Sequence, residues 1–477
     1  MKLHHRITMT GFALAALLGV TPLQAQTDST RYDIDATVDY KAATVTVKEN
    51  VHYTNRTKQP LSTVAFTVVA AAEPYRAFKL SEARVNGQTS RATLGKGQQD
   101  GGLDVTLPKA LKPGESVEVQ LNYALALQDK VDLRLGRNQH ILHLGNWLPT
   151  VKRATEAGWP QDRYIDTGDA FFMEASDYQI KLTVNHTSSA LKVASSGMQS
   201  ARTEQGSSVN LTLQGKRMRE FAILMSEDYQ VSSRKLGPTT IFSYYLPQQQ
   251  AEAEEVLKTT VDALAWGNTH LGAYPYPTLT IAEGWDPEGG GQEYSSLFVI
   301  ASGDYSLKDL QYFKYLIAHE TYHMWFYWLV GNDQINEAWL DESLATYMGY
   351  QYVKSIMPGP FPAIWQKKVK DYFEEGRKQY GYLPLNSTLY AYKDDEHSYS
   401  VLYRQGALFH DALKQQMGEQ AYYAAIKRHV AAQSGQLSQT LPFLRQVIRD
   451  LPGTRASKQA FIRKYFSAKV TEAAFTP

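Results

Sequence analysis

Two kinds of periodicity divide the chain near residue 247. Over residues 32–246 short stretches alternate apolar and polar or run apolar throughout, among them ATVTVKENVHY, SVEVQLNYALAL and DYQIKLTV, with KPGES and VNGQ as turn-rich breaks. A period of two marks half-buried strands, so this part is expected to be an antiparallel β domain, a sandwich or saddle. After Pro247 the apolar spacing becomes helical. QQQAEAEEVLKTTVDALAWGNTHLG reads as an amphipathic helix ended by Gly272, with Pro275 and Pro277 blocking its continuation. Strands are expected at TLTIAE and SLFVIA, on either side of the glycine-rich PEGGGQEY, and Ser306 is placed to cap a helix over 307–330. Further helices are expected at 336–356, 362–380, 400–416, 419–433, 439–450 and 456–467. The fold class is therefore multidomain α+β, a β domain followed by a mostly helical one.

A chain of 477 residues is long enough for two or three cores, and its formal charge of +1 gives no electrostatic case for nucleic acid. It has no cysteine, so neither disulfides nor a lipid-attachable thiol enter the picture. The opening MKLHHR, the apolar run that follows and the small residue Ala25 read as a signal peptide cleaved after Ala25, with no membrane span in the mature protein. The expected division is 1–25 signal peptide, 26–246 β domain and 247–477 catalytic domain, in a periplasmic or secreted bacterial protein.

The candidate chemistry lies in residues 317–348, IAHETYHMWFYWLVGNDQINEAWLDESLATYM. His319 and His323 are four apart and share one face of a helix, close enough to grip one ion. Glu342 follows His323 after eighteen intervening residues and would supply a carboxylate from the next helix. Zinc takes such nitrogen and oxygen ligands and keeps a position open in catalytic sites, so one Zn2+ per chain is expected on His319, His323 and Glu342. Glu320 projects at a different angle and suits a general base toward metal-activated water. Thr346, one turn beyond Glu342, is placed to reach a ligand. Asp341 and Glu337 are left outside the site.

This stretch resembles the zinc signature of the M1 family of metallopeptidases, the gluzincin aminopeptidases, through HExxH, the distant glutamate, Trp325-Phe326 and the segment WLDESLATY. Gly290-Gly291-Gln292-Glu293-Tyr294 resembles the family's Gly-x-Met-Glu-Asn loop, with Gln292 and Tyr294 at the methionine and asparagine positions. Tyr403-Arg404-Gln405-Gly406-Ala407 resembles its Tyr-x-Lys-Gly-Ala segment, and LGAYPYPTLTIAE the lead-in to the loop. The resemblance implies a thermolysin-like catalytic domain in a short form lacking the large C-terminal helical domain. It further implies a zinc aminopeptidase acting on peptides with a free amino terminus. Tyr403 would donate to the oxyanion, with Tyr399 as the alternative donor. Glu293 would bind the substrate ammonium, and Gly290 and Gly291 would let the backbone approach the substrate. A zinc endopeptidase, a glycyl-preferring relative and a catalytically degenerate periplasmic binding protein are the competing readings.

Overall fold

The computed structural model describes residues 29–476 apart from 74, 96–100, 130–132 and 139. The expected signal peptide lies outside the described residues. Among those described, no helix is long and apolar enough to cross a membrane.

The alternating stretches form strands whose burial follows their pattern. In Thr44–Thr54, Val45, Val47, Val51 and Tyr53 face the core while Thr44, Thr46 and Lys48 face solvent. This strand belongs to an eight-stranded sheet that also contains Arg31–Asp39, Phe78–Val85, Ser116–Ala126, Ser176–Asn185 and Ser208–Met218. Two four-stranded sheets complete the β-rich half. Its pairing is antiparallel except that Arg31–Asp39 runs parallel to Ser176–Asn185, so the sheet is mixed rather than purely antiparallel. Residue 31 pairs with residue 177 across a long excursion, and such a connection leaves strand direction free.

The hairpin Gln230–Leu236 and Thr239–Tyr245 departs from the expected division at 246/247. It pairs with the later strands Thr278–Gly284, Leu297–Ala301 and Gly291–Tyr294 in one five-stranded sheet. Helix α1 (Gln250–His270) makes the crossover between the parallel strands Thr239–Tyr245 and Thr278–Gly284. PEGGGQEY is likewise more than a turn, because Gly291–Tyr294 forms the edge strand, antiparallel to Leu297–Ala301.

Helix α2 spans Leu310–Tyr322, shorter than the expected 307–330, and Asp309 rather than Ser306 caps it by accepting the Tyr312 N–H at 3.1 Å. Residues 324–330 leave the helix as a buried loop in which Tyr327 adopts φ 121°. Their apolar character reports burial, which a packed loop can satisfy as well as a helix. Helix α3 (Trp339–Ile356) packs on α2 and is buried along most of its length. The C-terminal helices fall at Phe361–Trp365, Tyr372–Tyr380, Gly406–Met417, Glu419–Gln433, Thr440–Asp450, Arg455–Arg463 and Ala468–Ala474, with wide π turns at Gln366–Asp371 and Tyr399–Gln405.

Glu49 breaks the apolar alternation of its strand. It is fully buried, accepts the Tyr123 hydroxyl at 2.9 Å on one oxygen and has no partner on the other. Burial pushes its carboxyl up to about 8, the Tyr123 bond opposing. A carboxyl raised above its unfolded value holds its proton in the fold while the unfolded chain ionises. Stability is therefore lost as pH rises from about 4.5 to about 8. Glu49→Gln keeps the acceptor without the ionisation, so it is expected to raise the melting temperature at pH 8, with the gain vanishing by pH 4.5. A gain independent of pH in thermal melts would contradict this role.

Candidate active site

Three side chains from α2 and α3 converge. His319 Nε2 and His323 Nε2 lie 3.1 Å apart, and Glu342 Oε2 lies 3.4 and 3.5 Å from them. All three residues are buried. His323 Nδ1 meets the Phe326 carbonyl at 2.9 Å, and an N–H there leaves the Nε2 lone pair facing His319. His319 Nδ1 lies 3.4 Å from Thr346 Oγ1, the contact expected of Thr346. Two imidazole nitrogens and a carboxylate oxygen without a hydrogen-bond partner thus point at one place. Ligand atoms about 2.0–2.2 Å from zinc lie about 3.3–3.5 Å apart at tetrahedral angles, so the donor set and its spacing fit the ion.

Glu320 is buried on the same helix, and its Oε2 has no hydrogen-bond partner. Burial pushes its carboxyl up to about 8 against the pull of His323. The edge strand runs so close that a Cβ at Gly291 would overlap the Glu320 carboxylate. Gly291 therefore makes room for the Glu320 carboxylate. Gly290, at φ 105°, turns the chain into the strand and donates its N–H to Asp304 Oδ2 at 2.6 Å.

Glu293 sits on this strand, buried, with Oε1 unpartnered and Oε2 accepting from Gln292 Nε2 at 3.1 Å. Burial and then the charge of Asp169 push its carboxyl well above the usual range. The unusual neighbours of Glu293 are both accommodated. Gln292 Nε2 also donates to Asp169 Oδ1 at 3.1 Å, and the Tyr294 hydroxyl donates to the Leu133 carbonyl at 3.1 Å, over Gly145, where a Cβ would overlap it.

Asp169 is the functional candidate that sequence reasoning missed. It comes from the β-rich half, is held by Arg134 Nη2 at 2.5 Å, and has a carboxylate oxygen within 4.8 Å of oxygens of Glu293 and Glu342. A lone acid in an aperiodic loop carried no signal in the sequence. Asp341 also differs from expectation. It is buried beside Glu342, whose backbone N–H it accepts at 2.8 Å, while its other oxygen has no partner. Glu337 is half-buried and accepts the Thr440 N–H at 2.9 Å, away from the ligands.

Tyr403 occupies the wide turn Tyr399–Gln405 and donates its hydroxyl to Glu342 Oε1 at 2.7 Å. Gly406 lets this segment press on α3, since a Cβ there would overlap Ser343. Tyr399 is 41% exposed, with its ring 4.9 Å from that of Tyr403, at the rim of the site. A larger cavity of about 770 Å³, lined by Tyr40, Arg137, His140, His186, Glu227 and Trp285, contains none of these residues.

Residues 292–458 match the model of the peptidase family M1 domain. The chain is similar in fold to an M1 zinc metallopeptidase from Deinococcus radiodurans, with 19% identity over 94% of this chain and 95% of that one and a TM-score of 0.66. A mutant of an M1 zinc metallopeptidase from the same organism, bound to a Tyr-Ser-Ala substrate, matches at 18% identity over 94% and 93% with a TM-score of 0.59. A two-domain M1 zinc metallopeptidase mutant bound to L-arginine matches at 17% identity over the same shares with a TM-score of 0.61.

The purified protein is expected to hold one zinc per chain, and the ion should raise its melting temperature because it binds the folded state alone. His319→Ala or Glu342→Ala should abolish both effects. Undiminished zinc content by elemental analysis in either variant would remove that residue from the ligand set.

Proposed function

We propose, from the premise that this zinc metallopeptidase carries a peptidase family M1 domain over residues 292–458, that it is an aminopeptidase releasing amino-terminal residues from peptides. The carrying observation is the placing of Glu293 and Asp169, from two halves of the chain, beside the proposed ligand Glu342. Carboxylates gathered beside a hydrolytic centre suit a substrate ammonium, which answers their charge and accepts no hydrogen bond in return. An endopeptidase would have to place a neutral peptide group there. The Deinococcus relative's Tyr-Ser-Ala substrate is consistent with peptides as the substrate class.

In this reading His319, His323 and Glu342 hold the ion. When bound, zinc supplies Lewis-acid polarisation of water and of the scissile carbonyl. Glu320 takes a proton from the attacking water as the new C–O bond forms at the carbonyl carbon. It passes that proton to the peptide nitrogen as the C–N bond breaks, so water is divided between the two products. Tyr403 turns its hydroxyl from Glu342 Oε1 toward the oxyanion of the tetrahedral species. Glu293 and Asp169 hold the ammonium and so set the distance from the chain end to the cut. Arg134 and Gln292 keep Asp169 oriented. Export to the periplasm or medium, carried by residues 1–25, is part of the same proposal.

The direct test is the order of product release from a tripeptide, where the amino-terminal residue is expected to appear first and alone. Release of internal fragments from longer peptides at comparable rates would favour an endopeptidase. Glu320→Gln is expected to keep zinc and lose about 10²–10⁴ in kcat, and retained turnover would remove its role as base. Tyr403→Phe should lower kcat by about 10²–10³ with little change in KM, whereas an unchanged kcat would shift the donor role to Tyr399.

A further inference from the structure

Arg219 and Glu220 follow the strand Ser208–Met218, and each is 2% exposed. The Arg219 guanidinium is satisfied by backbone carbonyls. Nε donates to Tyr327 O at 2.5 Å and Trp328 O at 3.1 Å, Nη1 to Met173 O at 3.0 Å, and Nη2 to Gln436 O at 3.1 Å. Two of these carbonyls belong to the loop that leaves α2 directly after His323. Tyr327 holds a backbone conformation there that bulky residues rarely adopt without support from their surroundings. The preceding residue, Phe326, gives its carbonyl to His323 Nδ1. At the far end of the loop a Cβ on Gly331 would overlap the Arg219 guanidinium, so the two are packed in direct contact. One buried cation therefore pins the loop along its length.

Glu220 does the corresponding work on the other wall. Its Oε1 accepts the Ser295 N–H at 2.6 Å, and the Arg219 N–H donates to Ser295 Oγ at 2.9 Å. Ser295 lies two residues after Glu293, in the tight turn where Ser296 takes φ 61° between the edge strand and Leu297–Ala301.

We propose that Arg219 and Glu220 are positioning residues through which the β-rich half sets the active site. Arg219 holds the Tyr327 and Trp328 carbonyls of the loop whose Phe326 carbonyl orients His323, and Glu220 fixes the turn that aims Glu293. Partners that orient a ligating histidine contribute about 10–100-fold to metal affinity, and a residue acting one step further out belongs at the low end of that range. The Arg219 half stands on the metal site alone, while the Glu220 half rests on the aminopeptidase reading.

The test uses the full chain, with zinc affinity measured by chelator competition and thermal stability measured alongside. Arg219→Met is compared with Arg217→Met, because the Arg217 side chain also reaches the helical half, at Ser434 O, without bonding to the loop after His323. Arg219→Met is expected to raise the zinc Kd about tenfold while Arg217→Met leaves it unchanged. Equal shifts in the two variants, or no shift in Arg219→Met, would overturn the Arg219 assignment. Should Arg219→Met fail to fold, Arg219→Lys carries the same comparison, with a smaller rise expected and no rise overturning it. Glu220→Ala is expected to raise KM for a free-amine tripeptide with zinc Kd unchanged, and Glu220→Gln, which keeps the acceptor, to restore it. A change confined to kcat, or one that Gln does not rescue, would overturn the Glu220 assignment. Failure of the aminopeptidase reading itself would show separately, as an unmodified chain that binds zinc and does not cleave the tripeptide.

Discussion

Acidic side chains confined out of water are the condition that the rest of this structure answers. Glu293, Glu320, Asp341 and Glu342 are all buried around His319 and His323, and Asp169 adds a fifth carboxyl at their edge. Two like charges ~4 Å apart repel by about 4 kcal/mol even at an effective dielectric of 20, and burial adds the cost of lost hydration. Arg134 answers Asp169. A divalent ion at the His319–His323–Glu342 convergence and a substrate ammonium beside Glu293 would bring the set close to balance. Both cations of the proposed reaction would answer the same crowding of carboxyls, whose burial otherwise favours the protonated forms of Glu293 and Glu320.

The two halves of the chain share the work of placing that charge. The helical half supplies His319, His323 and Glu342 of the proposed metal site, the proposed base Glu320, and Tyr403. The β-rich half supplies Asp169 directly, and through Arg219 and Glu220 it reaches the loop after His323 and the turn after Glu293. Sheet and helices meet where close packing is needed, at Gly291 against Glu320 and at Gly406 against Ser343. A site assembled this way depends on the junction of the halves.

What could be read from the sequence follows from the range of the interactions. His319, Glu320 and His323 were legible because helix geometry converts spacing into proximity; Glu342, on the next helix, was legible only as the distant acid of the motif, and Thr346 was placed one turn beyond it. Glu293 and Tyr403 were legible as motifs, and their loop and wide turn do reach the cluster. The β-rich first half and most helices of the second were read from period alone. Asp169 and Arg219 were invisible because each acts across more than a hundred residues, from segments with no period. The end of α2 was misplaced because an apolar run says that a segment is buried without saying how its backbone groups are satisfied, and here backbone bonds and Arg219, on the Tyr327 and Trp328 carbonyls, satisfy them outside a helix. The hairpin Gln230–Tyr245 was assigned to the first half because alternation identifies a strand but not the sheet it joins.

The central claim is that the carboxylates beside the metal-binding set recognise a charged amine. Its most direct measurement compares kcat/KM for one peptide with its amino terminus free and acetylated, on the zinc-loaded enzyme. Acetylation removes the positive charge that Glu293 and Asp169 are proposed to hold, and it puts a carbonyl oxygen against their oxygens. A fall of at least about 100-fold is expected, the scale of losing a charge-assisted hydrogen bond and leaving its partners buried and unpaired. Cleavage of the two peptides at equal rates would contradict the claim.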